Sequence, residues 1–166
     1  MLEAGYEGWL LSFDGAAKMS DRRGSTGCIL WELSSWDVLE ARGFHFGDAT
    51  VNEAEYHGLI EGTKMALVRG ISEVVIVGDS RIAIQQAQGL IQYLNPRLQL
   101  QLNEFEELRP KLKSVKLVDV KREFRAAADY LTSKTLVARS AITLEDPVEL
   151  AQLKQLNRIA EKLVRE

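Results

Sequence analysis

Apolar residues crowd into short runs over the first part of the chain and take helical spacing further on. Trp9, Leu10, Leu11 and Phe13 have the bulk and β-preference of a central buried strand. That run meets Asp14, Gly15 and Ala16, a carboxylate and two small residues, which reads as a strand end opening into a turn. Residues 26–33 and 38–46 read as two more strands, joined by the polar, basic stretch 18–24 and by residues 34–37. Three strands with short links predict an antiparallel meander.

The period then changes. Thr50 is placed as a helix N-cap with Glu53 three residues on, a capping box, and the helix runs from 51 to about 69 before stopping at Gly70. Ala54, Leu59, Met65, Ala66 and Leu67 give that helix its apolar side. Residues 74–77 form a β-branched run, the mark of a strand buried on both faces. Gly78, Asp79 and Ser80 end it, and Ser80 caps a helix expected over 81–88. Residues 98–112 read as a helix with Leu98, Leu102, Phe105 and Leu108 on one side. A fifth strand over 115–120, a helix over 125–138 and a last helix over 148–164 complete the order. The sequence β-β-β-α-β-α-α-β-α-α predicts an α/β fold, a five-stranded mixed sheet with an antiparallel meander plus parallel strands, flanked by helices.

Composition narrows the classes. The chain has 166 residues, enough for one domain with a real core, and a net charge of −3, which excludes a strongly basic surface but leaves room for a local nucleic-acid patch. One cysteine, Cys28, allows no internal disulfide and suits a reducing compartment. The first residues lack the basic and apolar regions of a signal peptide, and no stretch is apolar for long enough to span a membrane. The expectation is an intracellular protein, cytoplasmic or nuclear, with no membrane partner.

Four carboxylates carry the candidate chemistry. Asp14 and Asp79 each follow a buried strand and precede a small residue, at the sheet edge where open α/β folds bind ligands. Glu55 falls in the first two turns of its helix, and Asp129 follows Ala126, Ala127 and Ala128, which would let a helix press closely on another element. Each has an ordinary structural role when taken singly: turn, cap, helix dipole or solvated surface.

Together they form a recognisable series. Ser12-Phe13-Asp14-Gly15-Ala16, then Asn52-Glu53-Ala54-Glu55-Tyr56, then Gly78-Asp79-Ser80, then Val120-Lys121-Arg122-Glu123 leading to Asp129-Tyr130-Leu131, resembles type 1 ribonuclease H. The closest branch is that of plant-like enzymes and long-terminal-repeat retrotransposon polyproteins, and the resemblance covers about residues 8–138. It implies a catalytic domain over 1–138; residues 139–166 fall outside the match and read from their apolar stripe as a helical extension folded back on the domain, with a contact to a second copy or a tether to a neighbouring polyprotein domain as the alternatives.

The resemblance implies that Asp14, Glu55, Asp79 and Asp129 are catalytic and hold two Mg²⁺, or Mn²⁺, roughly 4 Å apart. Glu55, not Glu53, matches the family's catalytic Glu. The implied activity is endonucleolytic hydrolysis of the RNA strand of an RNA/DNA hybrid, leaving 5′-phosphate and 3′-hydroxyl ends. Asn52 matches a position that reads the minor groove, Thr50 one that holds a DNA-strand phosphate, and Gly15 and Ser80 offer close approach to the substrate. Lys18, Arg22, Arg23, Arg81, Lys121 and Arg122 are the local basic residues for phosphate contact.

The chain also departs from the pattern. Val51 replaces a second groove-reading amide, no His lies between residues 117 and 128, and Arg125 stands where the closing block usually has Asn. The basic, Trp-rich segment of bacterial enzymes is missing, and Glu104, Glu106 and Glu107 lie there instead. His45 and His57 are assigned no role, since isolated histidines of this kind are more often structural. Two other functions stand beside the nuclease: a module that keeps the fold and binds without cutting, and a nuclease for double-stranded or structured RNA.

Overall fold

A computed structural model describes residues 2–79, 84 and 96–165. The cap expected at Ser80, the basic Arg81 and, apart from Ile84, the helix expected over 81–88 lie outside the described residues. The chain begins with β1 (Leu2–Glu3), then β2 (Gly8–Lys18), β3 (Arg23–Leu33) and β4 (Asp37–Gly47). Helix α1 (Val51–Val68) and strand β5 (Glu73–Gly78) follow. After them come α2 (Pro96–Leu108), β6 (Ser114–Asp119), α3 (Ala126–Ala138) and β7 (Ile142–Thr143). Helices α4 (Pro147–Leu156) and α5 (Ala160–Leu163) and strand β8 (Val164–Arg165) complete the order.

The main sheet has the order β6-β5-β2-β3-β4-β7. Strands β2, β3, β4 and β7 pair antiparallel, and β2, β5 and β6 pair parallel. The mixed α/β sheet read from the sequence is therefore present, with six strands rather than five. The sixth, β7, is two residues long, and its pairing with Arg42 and Gly43 extends the meander edge. A separate two-stranded sheet joins β1 to β8.

Strand alternation sorts the core into two layers. Leu11, Phe13, Cys28 and Leu30 pack with α1 and α2 through Tyr56, Leu59, Ile60, Leu98 and Phe105. Leu10, Ile29, Trp31, Val75 and Val77 face the other way, onto Ala127, Ala128 and Leu131. Trp31 sits fully buried because its indole N–H donates to Ser12 Oγ at 2.9 Å. At the helix start, Thr50 Oγ1 accepts from the Glu53 backbone N–H at 3.2 Å, the cap expected from the sequence. Gly70 takes φ +75 just past the end of α1, the left-handed position that glycine adopts without strain.

The C-terminal segment differs from the single helix expected over 148–164. Asp146 caps α4 with Pro147 at its first turn, but the helix ends at Leu156 and Asn157 is extended. Asn157 Oδ1 accepts from the Ile159 N–H at 3.0 Å, and the Arg158 N–H donates to the Phe124 carbonyl at 3.1 Å. Asn competes for its own neighbouring backbone groups in this way, which breaks helices. The turn carries Ile159 and Leu163 into the same apolar layer as Leu10, Leu153 and Ala127. Of the apolar positions in this segment, Leu153, Ile159 and Leu163 face the domain, whereas Val148, Ala151 and Leu156 are exposed. Among the described residues no helix is long and apolar enough to cross a membrane.

Candidate active site

The parallel register of β2 with β5 ends at Ser12 opposite Val77. Carried two residues further, it sets Asp79 level with Asp14, both beyond the last parallel pair. On its other side β2 continues, and Asp14 pairs with Gly27 of β3. Asp14 is therefore a mid-strand residue, not the strand end expected from Asp14-Gly15-Ala16. The hairpin with β3 keeps that stretch extended through Lys18 after its parallel neighbour has stopped. The carboxylate is 1% exposed, and its backbone carbonyl accepts from Thr26 Oγ1 at 2.6 Å.

Gly15 decides how Glu55 reaches this point. A Cβ on Gly15 would lie 2.5 Å from the Glu55 nitrogen and 2.6 Å from the Ala54 carbonyl carbon. The space that the sequence suggested for a substrate beside Gly15 is filled by the backbone of α1. The glycine is there so that helix and strand meet without a side chain between them. Glu55 is 3% exposed, and its Oε2 is buried without a hydrogen-bond partner.

Two arginines stand among the acids. Arg125 is fully buried and reaches in from the 3₁₀ turn Arg122–Arg125 that precedes α3. Its Nε donates to the Val120 carbonyl and its Nη1 to the Phe13 carbonyl, both at 2.8 Å. The same Nη1 lies 3.3 Å from Asp14 Oδ1, and Nη2 lies 3.7 Å from Asp79 Oδ2. Arg122 is half exposed, 3.7 Å from Asp14 Oδ1 and 3.8 Å from Asp129 Oδ1. The arginines thereby bridge Asp14 to Asp79 and Asp14 to Asp129.

The carboxylates feel one another. Burial pushes Glu55 up to about 7, the charges of Asp79 and Asp14 push the same way, and Arg125 and Arg122 oppose them. Burial also holds Asp14 above the ordinary carboxylate range, against the pull of Arg125 and Arg122 and with a further push from Asp129. A fifth acid joins the group: burial and the charge of Asp79 raise Asp119, at the end of β6.

The remaining expected residues divide. Asp129 lies in the first turn of α3, at the rim, with its side chain 45% exposed. Asn52 is half buried in the first turn of α1, and the Thr50 hydroxyl is committed to the capping box with Glu53. Ser80 lies outside the described residues. In the basic turn, Lys18 and Arg23 both pair with Asp21. The ring of His57 lies 4.2 Å from that of Phe46, and burial first of all draws its pKa below the ordinary value.

The donor chemistry suits a divalent ion. Carboxylate oxygens are what hard cations take, and the orphaned, buried Glu55 Oε2 wants a positive partner. As the side chains stand, no three His, Cys, Asp or Glu side chains among the described residues are gathered closely enough to hold one. Arg125 and Arg122 occupy the space between them. Arg125 is the residue that sequence reasoning undervalued. Its available signal was its place directly before Ala126-Ala127-Ala128, where a helix start is packed tightly against the sheet.

Comparison with known proteins places this geometry in a family. A model described as reverse transcriptase-like matches residues 12–135, from the strand that carries Asp14 into the helix that carries Asp129. The "Bifunctional protein Rv2228c" of Mycobacterium tuberculosis is 26% identical over 143 residues, 85% of this chain and 39% of that protein. This chain thus spans about two fifths of the length of the mycobacterial relatives it matches. "Ribonuclease HI" of Halobacterium salinarum is 29% identical over 126 residues, 75% of this chain and 62% of that one. The solved N-terminal RNase H domain of the Mycobacterium tuberculosis protein, fused to maltose-binding protein, is similar at TM-score 0.75 and 25% identity. That likeness covers 81% of this chain and 96% of the solved one. With three quarters of its length inside one family model and this fold around the acids, the chain belongs to the reverse transcriptase-like family, as an RNase H-type domain.

Proposed function

We propose that this chain is a metal-dependent endonuclease that hydrolyses the RNA strand of RNA/DNA hybrids. The observation that carries this reading is the electrostatic coupling of Glu55 to Asp79 and Asp14 at the edge where the parallel pairing stops. Like charges held together under burial are costly without a function that uses them. The family match and the likeness to a protein named "Ribonuclease HI" support the same substrate class.

In this reading Asp14, Glu55, Asp79 and Asp129 are the catalytic acids and would hold Mg²⁺, with Mn²⁺ as a substitute. The bound ions would activate water for in-line attack on the phosphodiester and stabilise the leaving 3′-oxygen, giving 5′-phosphate and 3′-hydroxyl ends. The protein supplies position and charge. The short path from β2 to α1 across Gly15 fixes Glu55 beside Asp14. Arg122, half exposed between Asp14 and Asp129, is placed to exchange a carboxylate for a phosphate oxygen. Asn52 would read the 2′-hydroxyls of the minor groove, and Thr50 and the backbone amides at the start of α1 would take a phosphate of the DNA strand. Ser80 completes the proposed substrate contacts, whereas Gly15 serves the close approach of β2 and α1. With a net charge of −3, binding to hybrid would be modest and salt-sensitive.

A binding module without cleavage is favoured by one observation, the buried Arg125 among the acids. Incubation with labelled hybrid, single-stranded RNA and double-stranded RNA in Mg²⁺, in Mn²⁺ and in chelator separates the readings. Metal-dependent cutting of the hybrid alone is expected. Binding without cutting in either metal selects the module, and cutting of double-stranded RNA selects the other nuclease.

A further inference from the structure

Arg125 does not behave as a surface cation that has fallen against the site. It has no exposed side-chain surface, and it is fastened at two points by backbone carbonyls, Val120 and Phe13, each at 2.8 Å. Neither carbonyl belongs to a carboxylate group, so the anchorage does not depend on the acids. What remains of the fork faces them. Nη1 lies against Asp14, and Nη2, which is buried and has no hydrogen-bond partner, lies 3.7 Å from Asp79. The second of these contacts is too long for a hydrogen bond and acts as a charge contact.

The arrangement puts a permanent positive charge between Asp14 and Asp79, the two acids just beyond the point where the parallel pairing stops. A guanidinium has no neutral form in the working pH range, so this charge cannot be shed when a metal arrives. Its position is fixed by the two carbonyls, so it cannot swing out to solvent without leaving both unsatisfied in a buried place. Arg122 is different: it is half exposed and meets Asp14 and Asp129 only at 3.7 and 3.8 Å, too far for hydrogen bonds, so it can move aside.

We propose that Arg125 is a resident cation of the acidic site. It holds Asp14 and Asp79 in place in the metal-free protein and weakens the binding of divalent ions to the same carboxylates. Like the nuclease reading, this rests on the four acids being the metal-holding groups, but it concerns metal binding alone and is measured without substrate. A fixed charge of the same sign within ~4–6 Å opposes a second cation as it opposes a proton, so removing it should tighten binding roughly tenfold or more.

The test is Mn²⁺ binding, followed by calorimetry and by loss of the free-ion electron paramagnetic resonance signal, in the full chain and in three variants. Arg125→Asn and Arg125→Gln remove the charge, and Arg125→Lys keeps it. Far-ultraviolet circular dichroism checks that each is folded. The expected result is roughly tenfold tighter binding in the two neutral variants, with Arg125→Lys close to wild type. Equal or weaker binding in the neutral variants overturns the proposal, as does tight binding in Arg125→Lys. Should neither neutral variant fold, the wild-type chain decides. Its thermal midpoint should be unmoved at about 0.1 mM Mn²⁺ and rise only in the millimolar range, whereas a rise of several degrees at about 0.1 mM overturns the proposal. The two readings fail separately. Tighter Mn²⁺ binding in neutral variants with no cleavage of hybrid by any form sinks the nuclease and leaves the resident cation standing. Cleavage with unchanged metal affinity does the reverse.

Discussion

Gly15 and Glu55 share one place in space: a Cβ on the first would lie 2.5 Å from the backbone nitrogen of the second. Strand and helix are in contact there with nothing between them. Gly15→Ala must therefore push α1 away from β2. Overpacking of this kind costs about 1–3 kcal/mol. Urea unfolding should show that loss, and hybrid cleavage should fall with it because Glu55 moves with its helix. A Gly15→Ala protein with wild-type stability and activity contradicts the close approach.

The two arginines of the site should separate sharply in stability. Arg125 is buried between the buried Asp14 and the half-buried Asp79, so Arg125→Ala leaves unpaired charge behind and should cost about 3–5 kcal/mol. Arg122 contacts the same Asp14 from a half-exposed position, and Arg122→Ala should cost no more than about 1 kcal/mol. Denaturant midpoints of the two variants compare them directly.

Glu55 gives the metal-free protein a pH signature. Its carboxyl titrates at about 7 in the fold against an ordinary 4.5. The folded protein therefore holds that proton more tightly than the unfolded chain. The associated stability is full below the unfolded value and is lost as the pH rises from 4.5 through about 7. Melting curves in chelator should fall across that window, and Glu55→Gln, which cannot ionise, should flatten the fall. A variant with the same slope as wild type contradicts the raised carboxyl.

Much of this architecture could be read from residue patterns, because local chemistry decided it. The capping box at Thr50 and Glu53, the stop at Gly70 and the β-branched run before Asp79 each specify an element without help from afar. Three features escape the pattern, the first and last of them because distant partners set them. Gly15 and Ala16 look like a turn, yet the antiparallel pairing with β3 keeps them extended. The apolar spacing from Val148 onward looks like one helix, yet Asn157 turns the chain so that Ile159 and Leu163 reach the core. Arg125 is legible only as a departure from the closing block, yet Val120 and Phe13 draw it inside. The acids themselves were legible as a series. Their bridging by arginine was not, because it depends on how a 3₁₀ turn meets a strand more than a hundred residues away.

The C-terminal segment should behave as core, not as an appendage. Leu153 is fully buried and packs in the layer that includes Leu10 and Ala127, so Leu153→Ala should cost about 2–5 kcal/mol. Val148, 68% exposed on the same helix, should change stability by less than about 0.5 kcal/mol when replaced by Ala. Equal, small effects at both positions would mean that the helix leaves the domain in solution.

The central claim is that Asp14, Glu55, Asp79 and Asp129 act as one metal-holding catalytic group. Single-turnover cleavage of a labelled RNA/DNA hybrid in Mg²⁺ tests it most directly, comparing wild type with Asp14→Asn, Glu55→Gln, Asp79→Asn and Asp129→Asn. The account predicts that every variant loses at least about a hundredfold in rate, comparable with the removal of a strong transition-state contact, while hybrid binding is kept. Asp79→Asn cutting at the wild-type rate would contradict it.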